Sequence, residues 1–193
     1  MVSGKIDDDT VLCFDVESCK WIKIAPMLTS RQDFKLGVLN NHLYAVGGYD
    51  EDDFSKTVEK YCPETNSWSF VADLKIATSG ASVAAAQGKL YAIGGKNYES
   101  FFKSVQEYDP VTDTWSIVSK MQVARCSPAV VSHNDLVYVI GGCSPRDETT
   151  RYSQKCEVFN PQTNTWSVFS NHHKVPCCYL DYITHSSALV IDK

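Results

Sequence analysis

The run Leu43-Tyr44-Ala45-Val46-Gly47-Gly48 decides the fold, because it returns as Leu90-Tyr91-Ala92-Ile93-Gly94-Gly95 and again as Val137-Tyr138-Val139-Ile140-Gly141-Gly142. The glycine pairs are spaced by 47 and 47 residues. A second marker keeps nearly the same step. Trp21, Trp68, Trp115 and Trp166 are separated by 47, 47 and 51 residues, and each follows an aromatic residue (Phe14, Tyr61, Tyr108, Phe159) by seven. A period of this length is the signature of a repeat architecture and is weighed before any local pattern.

Within one period the sequence holds four short strands. The first is apolar and rich in small residues, as over Ala81 to Ala86. The second ends in Gly-Gly. The third carries Val58-Glu59-Lys60-Tyr61, Val105-Gln106-Glu107-Tyr108 or Cys156-Glu157-Val158-Phe159, and the fourth begins at the Trp. Between the third and fourth lie the turns Cys62-Pro63-Glu64-Thr65-Asn66-Ser67, Asp109-Pro110-Val111-Thr112-Asp113-Thr114 and Asn160-Pro161-Gln162-Thr163-Asn164-Thr165. Proline presets one turn dihedral, and Asn or Asp tolerates the tight bend. Four-stranded units of about 40–50 residues are propeller blades. The apolar spacing of about 3.6 residues that a helical solenoid needs is not seen.

The Gly-Gly pair, the Glu-x-Tyr or its near equivalent, and the Pro-x-Thr-Asn/Asp-x-Trp turn, in step over nearly the whole chain, resemble kelch repeats, in the style of the BTB-BACK-kelch (kelch-like) proteins. The resemblance implies an all-β kelch propeller, partial or small, of about four blades of four antiparallel strands. The first and last blades are expected to be incomplete: a half-blade over 1–28, blades over about 29–75, 76–122 and 123–170, and a degenerate half-blade over 171–193. No BTB or BACK sequence is expected in the chain. Kelch propellers usually have about six blades, so two arrangements stand, a fragment of a larger ring or four blades closing on themselves. The fragment is favoured. An open ring would expose strand edges and blade faces.

Composition narrows the function. Hydrophobic residues are 44% and charged residues 21%, the balance of a globular chain. A net charge of −5 without a Lys/Arg cluster argues against nucleic-acid binding. No signal-peptide core opens the chain and no apolar run reaches the ~18–20 residues of a membrane span. Cys13, Cys19, Cys62, Cys126, Cys143, Cys156, Cys177 and Cys178 show neither zinc-knuckle spacing nor a secreted disulfide framework, and no Asn-x-Ser/Thr sequon occurs. A reducing cytosol is the expected compartment. The glycine pairs Gly47/Gly48, Gly94/Gly95 and Gly141/Gly142, the aromatic residues Tyr61, Tyr108 and Phe159, and the four tryptophans read as scaffold, with the glycines allowing close approach to a neighbouring blade and the rings packing between blades.

The resemblance also implies where a partner docks. In kelch proteins partner peptides usually bind one rim around the channel, made of the residue after Gly-Gly, the loop that follows, and a position just after the crossing into the next first strand. By register these are Tyr49, Lys96 and Cys143, then Asp33, Gly80 and Ser127. The loops differ: the first holds Asp50, Glu51, Asp52 and Asp53, the second Tyr98, Phe101 and Phe102, the third Arg146, Arg151 and Lys155 beside Asp147 and Glu148. Such residues are ordinarily solvated turns. As a set they suit a peptide with basic residues at one end and an apolar anchor. The family often places Arg just before the first strand, and Arg31 and Arg125 fit, but Thr78 and Pro176 interrupt the series, so a regular basic rim is absent and an acidic-rim preference is expected.

A non-enzymatic protein-interaction module follows, similar to the substrate-recognition part of a cullin-3 ubiquitin ligase adaptor. The alternatives are an actin-binding kelch protein or a cysteine-based redox-responsive module, in which Arg125 next to Cys126, or Arg146 near Cys143, would activate a thiol. Enzyme chemistry would need converging acid/base groups or metal ligands. His42 and His133 fall in matching hairpin turns and read as turn residues, while the adjacent His172 and His173 rarely chelate one metal unaided. No cofactor, metal, nucleic acid or membrane is expected as a partner.

Overall fold

The computed structural model describes residues 2–5, 8–50, 53–144, 153 and 155–168, and all its regular structure is β. Among the described residues three four-stranded antiparallel sheets follow one another, each with its strands in sequence order. The first of them holds β4 (Lys35–Leu39), β5 (His42–Val46), β6 (Val58–Cys62) and β7 (Ser67–Val71). The next holds β8 (Ser82–Ala86), β9 (Lys89–Ile93), β10 (Ser104–Asp109) and β11 (Thr114–Lys120). The last holds β12 (Ala129–His133), β13 (Leu136–Ile140), β14 (Cys156–Asn160) and β15 (Thr165–Val168). Ahead of them lies a three-stranded sheet, β1 (Val2–Lys5), β2 (Asp8–Asp15) and β3 (Lys20–Ile24). Its strands β2 and β3 are the third and fourth of a unit, as read from the sequence. Strand β1, which carries no Gly-Gly ending to betray it, adds a third by pairing Val2 with Cys13.

The hairpins inside the blades follow from their turn residues. Asn40-Asn41, Gln87-Gly88 and Asn134-Asp135 have positive φ at both central positions (50° and 60°, 51° and 72°, 49° and 59°). That is the two-residue turn whose twist matches the flanking strands, and Asn, Asp and Gly are the residues that enter it most cheaply. The first strands of successive sheets lie against each other: a Cβ on Gly37 of β4 would stand 2.5 Å from Val83 Cγ1 of β8.

Three apolar layers join the sheets in series. Val11, Ile24, Ala45, Tyr61 and Trp68 fill the first interface. Leu39, Tyr44, Val58, Leu90, Tyr108 and Trp115 are among those filling the second, and Ile93, Val105, Val137, Val139 and Phe159 lie in the third, with Trp166 against it. The tryptophans hold equivalent places. Tyr61–Trp68, Tyr108–Trp115 and Phe159–Trp166 are direct cross-strand partners with ring centroids 5.2, 5.2 and 5.0 Å apart. Each ring packs backwards, onto the sheet before its own: Trp68 Nε1 donates to Ala25 O (2.9 Å) and Trp166 Nε1 to Ser119 Oγ (2.9 Å). This direction corrects the expectation for Trp21. Its pair with Phe14 is the same (5.3 Å), yet Trp21 is 49% exposed, because no sheet among the described residues precedes it.

The turn between third and fourth strands does more than bend. Asn66 Oδ1 accepts from Ala25 N and Tyr61 Oη (both 2.9 Å), and Asp113 Oδ1 accepts from Ala72 N and Tyr108 Oη (both 2.9 Å). Each of these side chains therefore stitches its blade to the exit of the preceding one. Among the described residues the result is an arc of consecutive β-propeller blades whose sheets do not close into a ring. The degenerate half-blade expected over 171–193 lies outside the described residues.

Candidate binding rim

At one end of each sheet the chain leaves the second strand through Gly-Gly and meets the segment entering the first strand. Tyr49, Lys96 and Cys143 pair there as antiparallel bridges with Gln32, Ser79 and Cys126. Each bridge has both backbone bonds: Tyr49 N–H donates to Gln32 O and Gln32 N–H to Tyr49 O (2.9 and 2.8 Å), with the same exchange between Lys96 and Ser79 (2.9 and 3.0 Å) and between Cys143 and Cys126 (2.8 and 2.9 Å). The next residues inward, Asp33, Gly80 and Ser127, share a left-handed backbone (φ 49°, 62° and 48°). They are strung together from sheet to sheet, with Gly80 N–H donating to Asp33 O (3.1 Å) and Ser127 N–H to Gly80 O (2.7 Å). The residues carried over by register therefore form one continuous line across three blades. Asp33 also accepts a short hydrogen bond from the Ser79 hydroxyl.

The loops beyond this line are joined by aromatics. Tyr49 and Phe54 bridge as backbone partners with rings 6.2 Å apart, and Phe54 meets Tyr98 of the next blade edge-on at 4.6 Å. Tyr98 is 78% exposed and Tyr49 36%. Sequence reading missed Phe54 by treating its loop as acidic only. The signal was present, since Phe54 follows Tyr49 by five residues as Phe101 follows Lys96. Phe101 takes the matching bridge to Lys96 and is half-buried. The first two sectors of the rim are thus one aromatic surface with acidic residues beside it.

Asp50 and Asp53 are partly engaged in shaping their own loop. Asp50 Oδ1 accepts from Asp53 N (3.0 Å) and Asp53 Oδ1 from Phe54 N (2.7 Å). Asn97, one repeat later, does the same for Glu99 and Ser100 (both 3.0 Å). Asp52, Arg146 and Arg151, with Glu51, Asp147 and Glu148, lie outside the described residues.

The arginines require a correction. Arg31 and Arg125 do not reach the rim; both are buried beneath it. Arg31 pairs with Glu59 (2.6 Å) and donates to the carbonyls of Gly47 (2.9 Å) and Thr57 (3.0 Å). Arg125 pairs with Glu157 and donates to the carbonyls of Gly141 (2.9 Å) and Lys155 (2.8 Å). The carbonyls exposed where Gly-Gly interrupts the ladder need donors, and a guanidinium reaches several at once.

Cys126 is placed differently from the redox reading, while Arg146, which that reading set beside Cys143, lies outside the described residues. The Arg125 guanidinium turns away to Glu157, and burial, then the neighbouring Cys143, pushes the Cys126 thiol up to about 12. A thiol held neutral in this way is a poor nucleophile. Cys177 and Cys178 lie outside the described residues. At the opposite ends of the strands His42, the first residue of β5, lies near Cys62 and Glu64.

The profile of the KLHDC2/KLHL20/DRC7 Kelch-repeats domain matches residues 2–193. Kelch-like protein 26 of Danio rerio is 40% identical over 73 residues, covering 38% of this chain and 12% of that protein. Kelch-like protein 36 of Rattus norvegicus is 39% identical over 77 residues, covering 40% of this chain and 13% of that protein. The matched stretches thus span about an eighth of those relatives' length. Among solved structures, one described as the structure of YjhT superimposes with a TM-score of 0.72 at 20% identity, covering 84% of this chain and 59% of that one, a likeness of fold. With the repeat, the blades and the matched profile in agreement, the chain belongs to the kelch-repeat family.

Proposed function

We propose that this rim binds a segment of a partner protein, with Tyr98, Phe54 and Tyr49 as its anchor site. Kelch-repeat domains are protein-interaction modules, and this chain is one of them. The observation that supports the reading is the exposed Tyr98 ring, held edge-on against Phe54 at 4.6 Å and joined through it to Tyr49. A large ring already held by its neighbours gives up little freedom when a partner covers it, which is the character of an interface hot spot. Asp50 and Asp53 set a negative field next to the aromatics, which favours a ligand with Lys or Arg beside an aromatic or aliphatic anchor.

In the finer form of this reading, the rim selects substrates for a cullin-3 ubiquitin ligase, as the resemblance to kelch-like proteins suggests, and works in the cytosol. A peptide array probed with the purified chain tests the first step. The bound peptides should pair an apolar anchor with neighbouring basic residues, and Tyr98→Ser should weaken them by about tenfold or more, the loss expected of a hot-spot residue. Unchanged binding by Tyr98→Ser and by Asp53→Lys would overturn the assignment of the rim. Cullin-3-dependent ubiquitination of a protein carrying such a peptide tests the finer step. Rim-dependent co-sedimentation with filamentous actin would instead favour actin as the partner.

A further inference from the structure

The corner where β5 begins and β6 ends differs among the three four-stranded blades. In the blade of β8–β11, Lys89 fills it by pairing with Glu107 (2.6 Å) and Asp109 (3.6 Å). In the blade of β12–β15 the equivalent positions are Leu136, Asn160 and Gln162, which carry no charge. In the blade of β4–β7 they are His42, Cys62 and Glu64, three residue types that ligate metals.

The sheet brings these three together. Leu43 and Tyr61 are ladder partners, so one step further His42 stands opposite Cys62 on the same face. Glu64 folds back in the turn and accepts from the Cys62 thiol at 3.0 Å. One ligand atom from each residue lies within 4.8 Å of the other two. Around a tetrahedral zinc, with bonds of about 2.3 Å to sulfur and 2.0–2.2 Å to nitrogen or oxygen, ligand atoms stand roughly 3.3–3.7 Å apart. Small side-chain rotations close that gap, and Glu64 is exposed and free to make one.

A second observation concerns the imidazole. His42 Nδ1 lies 2.7 Å from Asn40 O, and a carbonyl can only accept, so Nδ1 carries the hydrogen. The neutral ring then presents its lone pair at Nε2. Orientation of a ligating His by a backbone carbonyl on its other nitrogen is the usual arrangement of metal sites.

We propose that His42 Nε2, Cys62 Sγ and a Glu64 carboxylate oxygen bind a divalent cation of the zinc class. The Cys62 S–H proton leaves to solvent as the sulfur–metal bond forms. A fourth position is open to water or to a partner's side chain. The donor set of nitrogen, sulfur and oxygen suits zinc and disfavours calcium or magnesium, which prefer oxygen alone. The metal would clip the β4–β5 hairpin to the β6–β7 turn. The site stands at the opposite strand ends from the rim, and its fate is independent of the peptide-binding reading.

The test uses the full chain, reduced and freed of metal, titrated with Zn2+ by calorimetry and with Co2+ by absorption. The wild type should show a sulfur-to-cobalt charge-transfer band, with one proton released per cation bound at this site. Cys62→Ser should lose the component of that band belonging to this site, and His42→Ala and Glu64→Gln should weaken zinc at least about tenfold. Cys177, Cys178, His172 and His173 are present in every variant, so the difference from wild type isolates this corner. Zinc should raise the unfolding temperature of the wild type more than that of any of the three variants. Glu64→Gln, at an exposed position, keeps the test available should Cys62→Ser fail to fold. Cobalt spectra and zinc affinities indistinguishable between wild type and Glu64→Gln, and between wild type and His42→Ala, would overturn the site.

Discussion

Arg125 and Glu157 face each other with both side chains fully buried, and one repeat earlier their places are held by Thr78 and Gln106. One repeat before that the pair is Arg31 and Glu59. Both charges are therefore present or both are absent. The acceptor keeps one task in all three blades, which is to bind the backbone of the segment entering the first strand. Glu59 accepts from Leu28 N (2.6 Å) and Thr29 N (3.0 Å), Gln106 from Ile76 N (2.9 Å), and Glu157 from Gln122 N (2.7 Å). An amide does this without charge. A carboxylate does it only with a cation beside it, because a buried unpaired charge is strongly destabilising.

It follows that the middle blade's solution should work in its neighbour. Arg31→Thr alone should destabilise the chain by about 3–5 kcal/mol, leaving Glu59 unpaired. Adding Glu59→Gln should return part of that loss, with a coupling energy of about 1–3 kcal/mol. Urea unfolding of the wild type, both single variants and the double variant measures the coupling. Additive losses would show that the two residues act separately.

The tryptophans should differ sharply although their intrablade pairs are alike. Trp115 is 1% exposed, and Trp115→Ala should cost about 3–5 kcal/mol. Trp21 is 49% exposed, with no sheet before it among the described residues, and Trp21→Ala should cost about 1 kcal/mol or less. The same denaturation experiment separates them. Equal losses would mean that another surface covers Trp21.

The blades were legible because their packing repeats. An aromatic residue and a Trp seven apart must face each other across a hairpin, and the repeat puts the pairs from Tyr61–Trp68 onward in equivalent places in successive interfaces. Strand β1 was not legible, since Val2-Ser3-Gly4-Lys5 has no alternation or glycine pair to compare. The direction of Arg31 was hidden for a different reason. It lies two residues from Asp33, and only the left-handed turn at Asp33 sends one residue to the rim and the other beneath it. The joint replacement of Arg and Glu by Thr and Gln was the available clue. The aromatic half of the site was partly visible in Tyr98, while Phe54 was masked by the aspartates before it.

Gly94 and Gly88 have nearly the same φ, 69° and 72°, yet should tolerate alanine very differently. A Cβ on Gly94 would run into the carbonyl oxygen of Arg125, where the next blade begins, and backbone cannot move aside cheaply. A Cβ on Gly88 would meet nothing within 4 Å. Gly88→Ala should therefore cost only the left-handed backbone, about 1–2 kcal/mol. Gly94→Ala should cost more than that, and thermal unfolding of the two variants side by side gives the comparison.

The buried Cys126 thiol supplies a pH dependence of definite sign. Its folded value of about 12 lies well above the ordinary thiol value near 8.5. Between these two the unfolded chain has lost the proton and the folded chain keeps it, so the folded state binds more protons and stability falls as pH rises. The contribution is complete below about pH 8.5 and erodes towards 12. Cys126→Ala removes the group, so unfolding midpoints of wild type and variant should diverge less at pH 10 than at pH 7. The same burial makes Cys126 slow to alkylate at pH 8, while the exposed Cys19 reacts freely. Mass mapping after brief iodoacetamide treatment reads both sites at once. Equal labelling of Cys126 and Cys19 in the native chain would show that the segment entering β12 opens far more readily than its paired backbone bonds to Cys143 imply.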